Sequence, residues 1–328
     1  MLHVVYTAEV TSGNPAGRDG KTSRRARPLG AACGRTYDGN MRSGGVVLAG
    51  GRSSRMGTPK AALEWHGSTL LRRTVGIVAR AAGGPVVVVR ASGQDLPDLP
   101  ETVTVVDDPR DGKGPVQGIA AGLAALAGDA EAAFVTSTDL PFLHPAYIRR
   151  VLRALDEPGG PDAATPDVAL PVARGYQQPL AAVYRTGLAG LAERLVKEDR
   201  LRPAFLFAEC AVTRLDDAAL LTDPVLAALD PGLDSVLNVN TPDEYQAARE
   251  RPAPEVTVQL FGALVKAGRL GGPHQVRAAT VQAAADAVSL PFDRHVTAAL
   301  NGDQITRDPL VPLAAGDTVF FMSADAGG

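Results

Sequence analysis

The sequence predicts an α/β protein: a mostly parallel sheet with helices on both faces, followed by a smaller α+β region. Three observations predict it. From Gly44 onward β-rich segments alternate with helical patterns, the order that a parallel sheet requires. The strand segments of the first part are nearly continuous apolar runs, as strands covered on both faces should be. The proline-rich stretch Arg251-Pro252-Ala253-Pro254 then breaks the pattern, and a second, shorter set of elements follows it.

Taken in order, residues 1–42 are rich in Gly, Ser, Arg and Thr, carry the basic run Arg24-Arg25-Ala26-Arg27 and show no sustained hydrophobic period, so a disordered leader is expected. Met41 stands just before the first strand and offers a second start of translation. Strands are predicted at 46–48, 85–89, 102–106 and 132–136. A helix from near Ser68 carries Leu71, Val75, Val78, Ala79 and Ala82 as one apolar stripe, with the charges Arg72, Arg73 and Arg80 off it. Another helix over 116–126 follows Gly112-Lys113-Gly114-Pro115, which sets a helix N-terminus beside a second candidate phosphate or base contact.

Residues 43–250 form the main region in this reading, 251–255 a linker and 256–328 a second domain. In the latter Val256, Val258 and Leu260 alternate as a strand, and Thr280 caps a helix with the stripe Val281, Ala284, Ala285 and Val288. Strands at 295–300 and 317–322 flank the hairpin signal Asn301-Gly302, and the chain ends in Gly327-Gly328.

A length of 328 residues suggests two domains, and a hydrophobic content of 45% fits a globular interior. The formal net charge of −3 gives no general attraction to nucleic acid or an anionic membrane, so any cationic site must be local. Cys33 and Cys210 stand far apart, which indicates neither a disulfide framework nor a zinc site. No run approaches the roughly 20 apolar residues of a membrane span. The expectation is a cytoplasmic protein without nucleic-acid or membrane partners.

The local cationic site is the run Leu48-Ala49-Gly50-Gly51-Arg52-Ser53-Ser54-Arg55-Met56-Gly57-Thr58-Pro59-Lys60, directly after an apolar strand. Gly50, Gly51 and Gly57 permit positive φ angles and bring backbone N–H groups close to a ligand, while Arg52, Arg55 and Lys60 supply charge. A nucleoside triphosphate suits such a loop. Its spacing is neither Gly-x-x-x-x-Gly-Lys-Ser/Thr nor Gly-x-Gly-x-x-Gly.

These residues resemble the signature L-A-G-G-x-S-x-R-M-G-x-x-K of the MobA family, the nucleotidyltransferases that attach a nucleotide to molybdopterin. The resemblance implies a Rossmann-like nucleotidyltransferase fold in which Leu48, Ala49, Gly50, Gly51, Lys60, Asp108 and Asp139 contact the nucleotide, and Arg55, Lys60 and Asp139 carry the chemistry. The segment Thr136-Ser137-Thr138-Asp139-Leu140-Pro141-Phe142 resembles the family's metal-binding stretch, which implies Mg²⁺ on Asp139. A carboxylate at a strand's C-terminal end points into the crevice where open α/β sheets place ligands. Leu237-Asn238-Val239-Asn240-Thr241-Pro242-Asp243-Glu244 resembles the late N-V-N-T-P-E-E motif, with Asn238 and Asn240 implied on the substrate side. Thr241 and Glu244 also read as a capping box. Tyr176-Gln177-Gln178-Pro179 resembles the family's H-P segment, with glutamines where a histidine is expected.

The implied reaction joins GTP and molybdopterin: the molybdopterin phosphate attacks the α-phosphorus in line and pyrophosphate leaves. That calls for neutralisation and alignment of two polyanions and for no general base. His66, His144, His274 and His295 are accordingly given no role. The alternatives are cytidylyl transfer to molybdopterin or to another phosphorylated acceptor, and a non-catalytic sulfur-carrier or scaffold protein.

The final 75 or so residues resemble the ubiquitin-like β-grasp sulfur carriers of the MoaD and ThiS type. That resemblance implies that Gly328, after Gly327, is adenylated and converted to a thiocarboxylate, with an adenylyltransferase/sulfurtransferase and the large subunit of molybdopterin synthase as partners. A thiazole-forming enzyme is the alternative partner. Ser323-Ala324-Asp325-Ala326 before the tail is more polar than the family pattern.

Overall fold

The computed structural model describes residues 41–50, 59–109, 112–157, 165–266 and 272–324. Of the predicted leader only Met41 and Arg42 fall among them, and Met41 packs in the core. Arg55, Gly51 and the Gly327-Gly328 tail lie outside the described residues.

The chain opens with β1 (Ser43–Leu48), a small hairpin of β2 (Glu64–Trp65) and β3 (Ser68–Thr69), α1 (Leu70–Ala82), β4 (Val86–Arg90), β5 (Val103–Asp107), α2 (Pro115–Leu126), β6 (Ala132–Ser137) and α3 (Pro145–Asp156). It continues through β7 (Val168–Ala173), β8 (Tyr176–Gln177), β9 (Ala181–Arg185), α4 (Ala189–Lys197), α5 (Pro203–Phe207), β10 (Val212–Asp216), α6 (Asp217–Leu220), α7 (Pro224–Leu229) and α8 (Pro242–Arg249). The strands form one sheet in the order β10-β7-β9-β6-β1-β4-β5, with β8 paired to β7. β1 runs parallel to both β4 and β6, β4 to β5, and β7 to β10, whereas β9 is antiparallel to its neighbours. The chain leaves β1 through β4 and β5, then returns to β6 on the other side of β1. That reversal opens a crevice beyond the C-terminal ends of β1 and β6.

The helices cover both faces. Side chains of α1 and α3 pack with Val47 on one face, and those of α2 and α4 pack with Val46 and Leu48 on the other. Thr69 caps α1 by accepting from the Arg72 N–H, and Gly83 ends it at φ 71°. α2 lies close upon β1, since a Cβ at Gly118 would meet Leu48 Cδ2 at 3.0 Å and one at Gly122 would meet Val46 Cγ1 at 2.3 Å. One expectation fails here: the strand predicted at 102–106 is not covered on both faces. β5 is the sheet edge, and Thr104, Val105 and Asp107 are exposed. Its β-branched residues favour an extended chain wherever the strand lies, so composition alone does not separate edge from centre.

The remaining elements are β11 (Glu255–Leu260), α9 (Ala263–Lys266), β12 (Pro273–Arg277), α10 (Val281–Ala287), β13 (Val296–Leu300), β14 (Gln304–Thr306) and β15 (Thr318–Ser323). They form a second sheet, β12-β11-β15-β13-β14, in which only β11 and β15 are parallel neighbours. Val256, Val258, Leu260 and Phe321 pack beneath Val281, Ala284 and Ala285 of α10. Asn301 and Gly302 both take positive φ, 55° and 84°, as the hairpin signal requires. β12 was not predicted, because a proline opens it and its edge position leaves its residues partly exposed.

The loop 308–317, which leads into β15, packs against α1. Arg80 donates from Nη2 to Asp317 Oδ1 at 2.7 Å and from Nη1 to the Pro312 carbonyl at 2.6 Å, and both members of the ion pair are buried. Arg72 pairs with Asp308. Gly76 leaves room for the Pro312 ring, which a Cβ would meet at 2.5 Å. His144 caps α3 by accepting from the Ala146 N–H on Nδ1 at 3.1 Å, so the neutral ring carries its proton on Nε2 and donates to the Ala315 carbonyl at 3.0 Å.

Burial holds the His144 pKa below its ordinary value, opposed by the hydrogen bond to the Ala315 carbonyl and by Asp317 and Asp230, with Arg80 adding to the lowering. The unfolded chain therefore takes up the proton first as pH falls through about 6.5, and the folded state loses stability from there downward. We expect the thermal midpoint to fall between pH 7 and pH 5. His144→Asn keeps a capping acceptor without a titrating ring, and its midpoint should depend less on pH over the same range in calorimetry.

Candidate functional site

Three segments distant in sequence meet at the crevice. Asp139 follows β6, Lys60 ends the stretch after β1, and Asn240 precedes α8. Lys60 Nζ donates to Asn240 Oδ1 at 3.0 Å and forms an ion pair with Asp139 Oδ2 at 3.4 Å. The other carboxylate oxygen, Oδ1, accepts from Ser137 Oγ. The Val239 N–H donates to the Asp139 carbonyl at 2.9 Å, which ties the late motif to the end of β6. Val239 is buried while Asn238 and Asn240 are exposed on either side of it, the alternation of an extended chain.

The local sequence explains this placement. Thr241 and Glu244 form the capping box of α8: the Thr241 hydroxyl accepts from the Glu244 N–H at 3.2 Å, and the Glu244 carboxylate accepts from the N–H groups of Asn240 at 2.7 Å and Thr241 at 3.1 Å. The bond from Asn240 is the main cause that holds the Glu244 carboxyl below the usual carboxylate range. Fixing the Asn240 backbone in this way aims its amide at Lys60.

A cavity of about 620 Å³ lies beside these groups. Its lining includes Leu48, Ala49 and Gly50, Asp108, Gly114, Pro115 and Gly118 of the α2 N-terminal region, and Lys60 and Asp139. Asp108 is held by its N–H, which donates to the Arg90 carbonyl at 2.7 Å. Gly114 takes φ 73° immediately before α2, so that the helix N-terminus opens onto the cavity. Gly50 differs from the expectation of positive φ. Close approach is what requires glycine there, since a Cβ would lie 2.8 Å from the Ala91 N–H nitrogen.

The structure thus brings together Leu48, Ala49, Gly50, Lys60, Asp108, Asp139 and Asn240. Asn238 lies on the same segment, exposed, and does not line the cavity. Gln177 and Gln178 stand at the edge strand β8 and the turn after it, where the Gln178 amide donates to the Ala173 carbonyl. Ser137 and Gln94 were not foreseen. Ser137 lies within the segment that contains Asp139, two residues before it, and could have been read from that position. Gln94 could not: its amide donates to the Ala49 carbonyl at 3.1 Å and its oxygen accepts from the Ala91 N–H at 3.0 Å, a contact made only by folding.

The crevice at the strand-order reversal is lined by a glycine-containing strand end, a lysine and a carboxylate, at the position where open α/β sheets take their ligands, and the chain is a nucleotidyltransferase. Residues 45–213 match the MobA-like NTP transferase domain, and the chain belongs to that family. A probable molybdenum cofactor guanylyltransferase of Mycolicibacterium paratuberculosis is 37% identical over 160 residues, spanning 48% of this chain and 76% of the relative. Its counterpart from Mycobacterium tuberculosis is 42% identical over 155 residues, spanning 46% and 72%. The crystal structure of molybdopterin-guanine dinucleotide biosynthesis protein A from Archaeoglobus fulgidus aligns at a TM-score of 0.48 and 22% identity, covering 62% of this chain and 96% of that one.

Gly50→Ala should lower the free energy of unfolding in urea by about 1–3 kcal/mol, because the new methyl group meets backbone rather than a movable side chain.

Proposed function

We propose that the chain transfers GMP from GTP to the terminal phosphate of molybdopterin, releasing pyrophosphate. The observation that carries this reading is the meeting of Lys60, Asp139 and Asn240 at the edge of a cavity lined by Leu48, Ala49, Gly50 and Asp108. The names of the guanylyltransferase relatives support the choice of substrates.

In this reading the base and ribose occupy the cavity against Leu48 to Gly50 and Asp108, and the triphosphate runs toward Lys60; Arg55, outside the described residues, is proposed as a second cation for it. An oxygen of the molybdopterin phosphate forms a bond to the α-phosphorus of GTP as the bond to the bridging oxygen breaks, and that oxygen leaves with pyrophosphate. Lys60 offsets charge on the phosphates, while Asn238 and Asn240 present amides to the acceptor. No proton needs removal from an anionic phosphate nucleophile, so the residues act by alignment and by charge.

Asp139 is the proposed Mg²⁺ ligand. Among the described residues no three His, Cys, Asp or Glu side chains cluster as a cation cage. A single carboxylate fits this ion, which takes one or two carboxylates and fills its remaining positions with phosphate oxygens and water. When bound, it would neutralise developing charge on the phosphates. Asp139 is prepared for it by the Ser137 hydroxyl and Lys60, which orient the two carboxylate oxygens.

We further propose two functional regions, 43–250 and 256–328, the second a β-grasp sulfur carrier ending at Gly328. The order β12-β11-β15-β13-β14, with β11 and β15 parallel and α10 across one face, supports that reading.

Pyrophosphate release with Mg²⁺ and molybdopterin tests the transferase reading. Turnover is expected with GTP, and both Asp139→Asn and Lys60→Ala should lower kcat by about a hundredfold or more. Turnover only with CTP would replace the nucleotide, and none with either would overturn the proposed reaction.

A further inference from the structure

The contact between α1 and the loop before β15 reaches the segment that carries Asp139. Arg73 lies buried in α1 between two backbone acceptors: Nε donates to the Pro141 carbonyl at 2.7 Å and Nη1 to the Leu313 carbonyl at 3.1 Å. Pro141 stands two residues beyond Asp139, and Leu313 belongs to the loop that enters β15. The guanidinium is a rigid planar fork, so it fixes the two carbonyls relative to each other in a way that a flexible cation does not. Burial lowers the Arg73 pKa to about 10, which leaves the side chain charged at neutral pH.

The rest of this segment is held on the same pattern. The Asp139 carbonyl accepts from the Val239 N–H at 2.9 Å, and the His144 N–H donates to Ser235 Oγ at 3.1 Å. The His144 ring reaches the Ala315 carbonyl, again in the loop before β15. Phe142 lies between Trp65, edge-on at 5.5 Å, and the Arg251 guanidinium at 4.4 Å. Two of the groups that hold the segment, Arg73 and His144, therefore depend on carbonyls of the loop before β15 for a second contact.

We infer that Arg73 is a positioning residue for the Asp139 segment and that the loop before β15 braces the transferase site by supplying the Leu313 carbonyl on which Arg73 rests. This rests on the reading of Asp139 as a metal ligand. Without the guanidinium the Pro141 and Leu313 carbonyls lose their shared donor, and the Asp139 carboxylate loses a fixed approach to the cation.

The test measures Mn²⁺ affinity of the full chain with GTP present, from the electron paramagnetic resonance signal of free Mn²⁺. It also follows the emission of Trp65, the only tryptophan in the sequence, as a reporter beside Phe142. Arg73→Met should weaken Mn²⁺ binding about tenfold, the effect typical of removing a group that orients a ligand, with Arg73→Lys in between. Asp317→Asn, remote from the cavity, should weaken it in the same direction by loosening the loop that carries Leu313. Leu195→Ala, in the core on the opposite face of the sheet, lowers stability without touching the segment and should leave Mn²⁺ affinity and Trp65 emission unchanged. If Asp139→Asn loses Mn²⁺ while the Arg73 and Asp317 variants bind as wild type, the bracing role is overturned and the metal reading stands. If Asp139→Asn binds Mn²⁺ as wild type, the metal reading fails and the inference with it.

Discussion

The closeness with which α2 lies on β1 governs the geometry of the crevice. β1 is fixed between two parallel neighbours, so it cannot move aside to admit a bulkier helix face. Gly118 and Gly122, one turn apart, leave space for Leu48 and Val46, and a side chain at Gly122 would enter the Val46 methyl group. With the helix held at this distance, its N-terminal residues Gly114 and Pro115 come to the same cavity as Leu48 and Gly50. A helix pushed outward would carry one wall of the cavity with it. Dense packing thus acts here as a positioning device, because interiors transmit displacement rather than absorb it.

The charged groups depend on that frame and on a second kind of constraint. Lys60 and Asp139 are 79 residues apart and Lys60 and Asn240 are 180 apart, yet all three converge. Each is delivered by an element end: Asp139 follows a strand that stops at the crevice, and Asn240 precedes a helix whose capping box fixes its backbone. Element ends suit this task, since their polar backbone groups point outward and their side chains have space.

α1 serves two partners. Its apolar stripe of Leu71, Val75 and Val78 faces the large sheet, as a helix in an α/β layer does. Its arginines make a second, polar contact with the loop 308–317, where Arg80 and Asp317 are buried as a pair and Arg73 satisfies two carbonyls. Buried ion pairs contribute little net stability against an apolar substitute, but a lone buried charge is costly. Such a contact favours one arrangement of the two sheets over others more than it adds to the total free energy.

Much of the site was legible in the sequence because its residues belong to short local patterns. The glycine-containing strand end at Leu48 to Gly50, Lys60, the strand-terminal Asp139 and the capping box after Asn240 each depend on near neighbours in the chain, and these contacts form largely where the pattern places them. The strands of the first half were likewise visible as apolar runs, and α1 and α10 as apolar stripes, the latter with Thr280 as its cap. What the sequence could not decide was which surfaces would be covered. Val105 has the composition of a core strand and stands exposed at an edge, while Arg73 and Arg80 read as charges off the apolar stripe and are buried. The physical reason is the same in each case. Periodicity and capping are local properties of the chain, whereas burial depends on which distant segment arrives, and for α1 that segment is the loop before β15, more than 200 residues away.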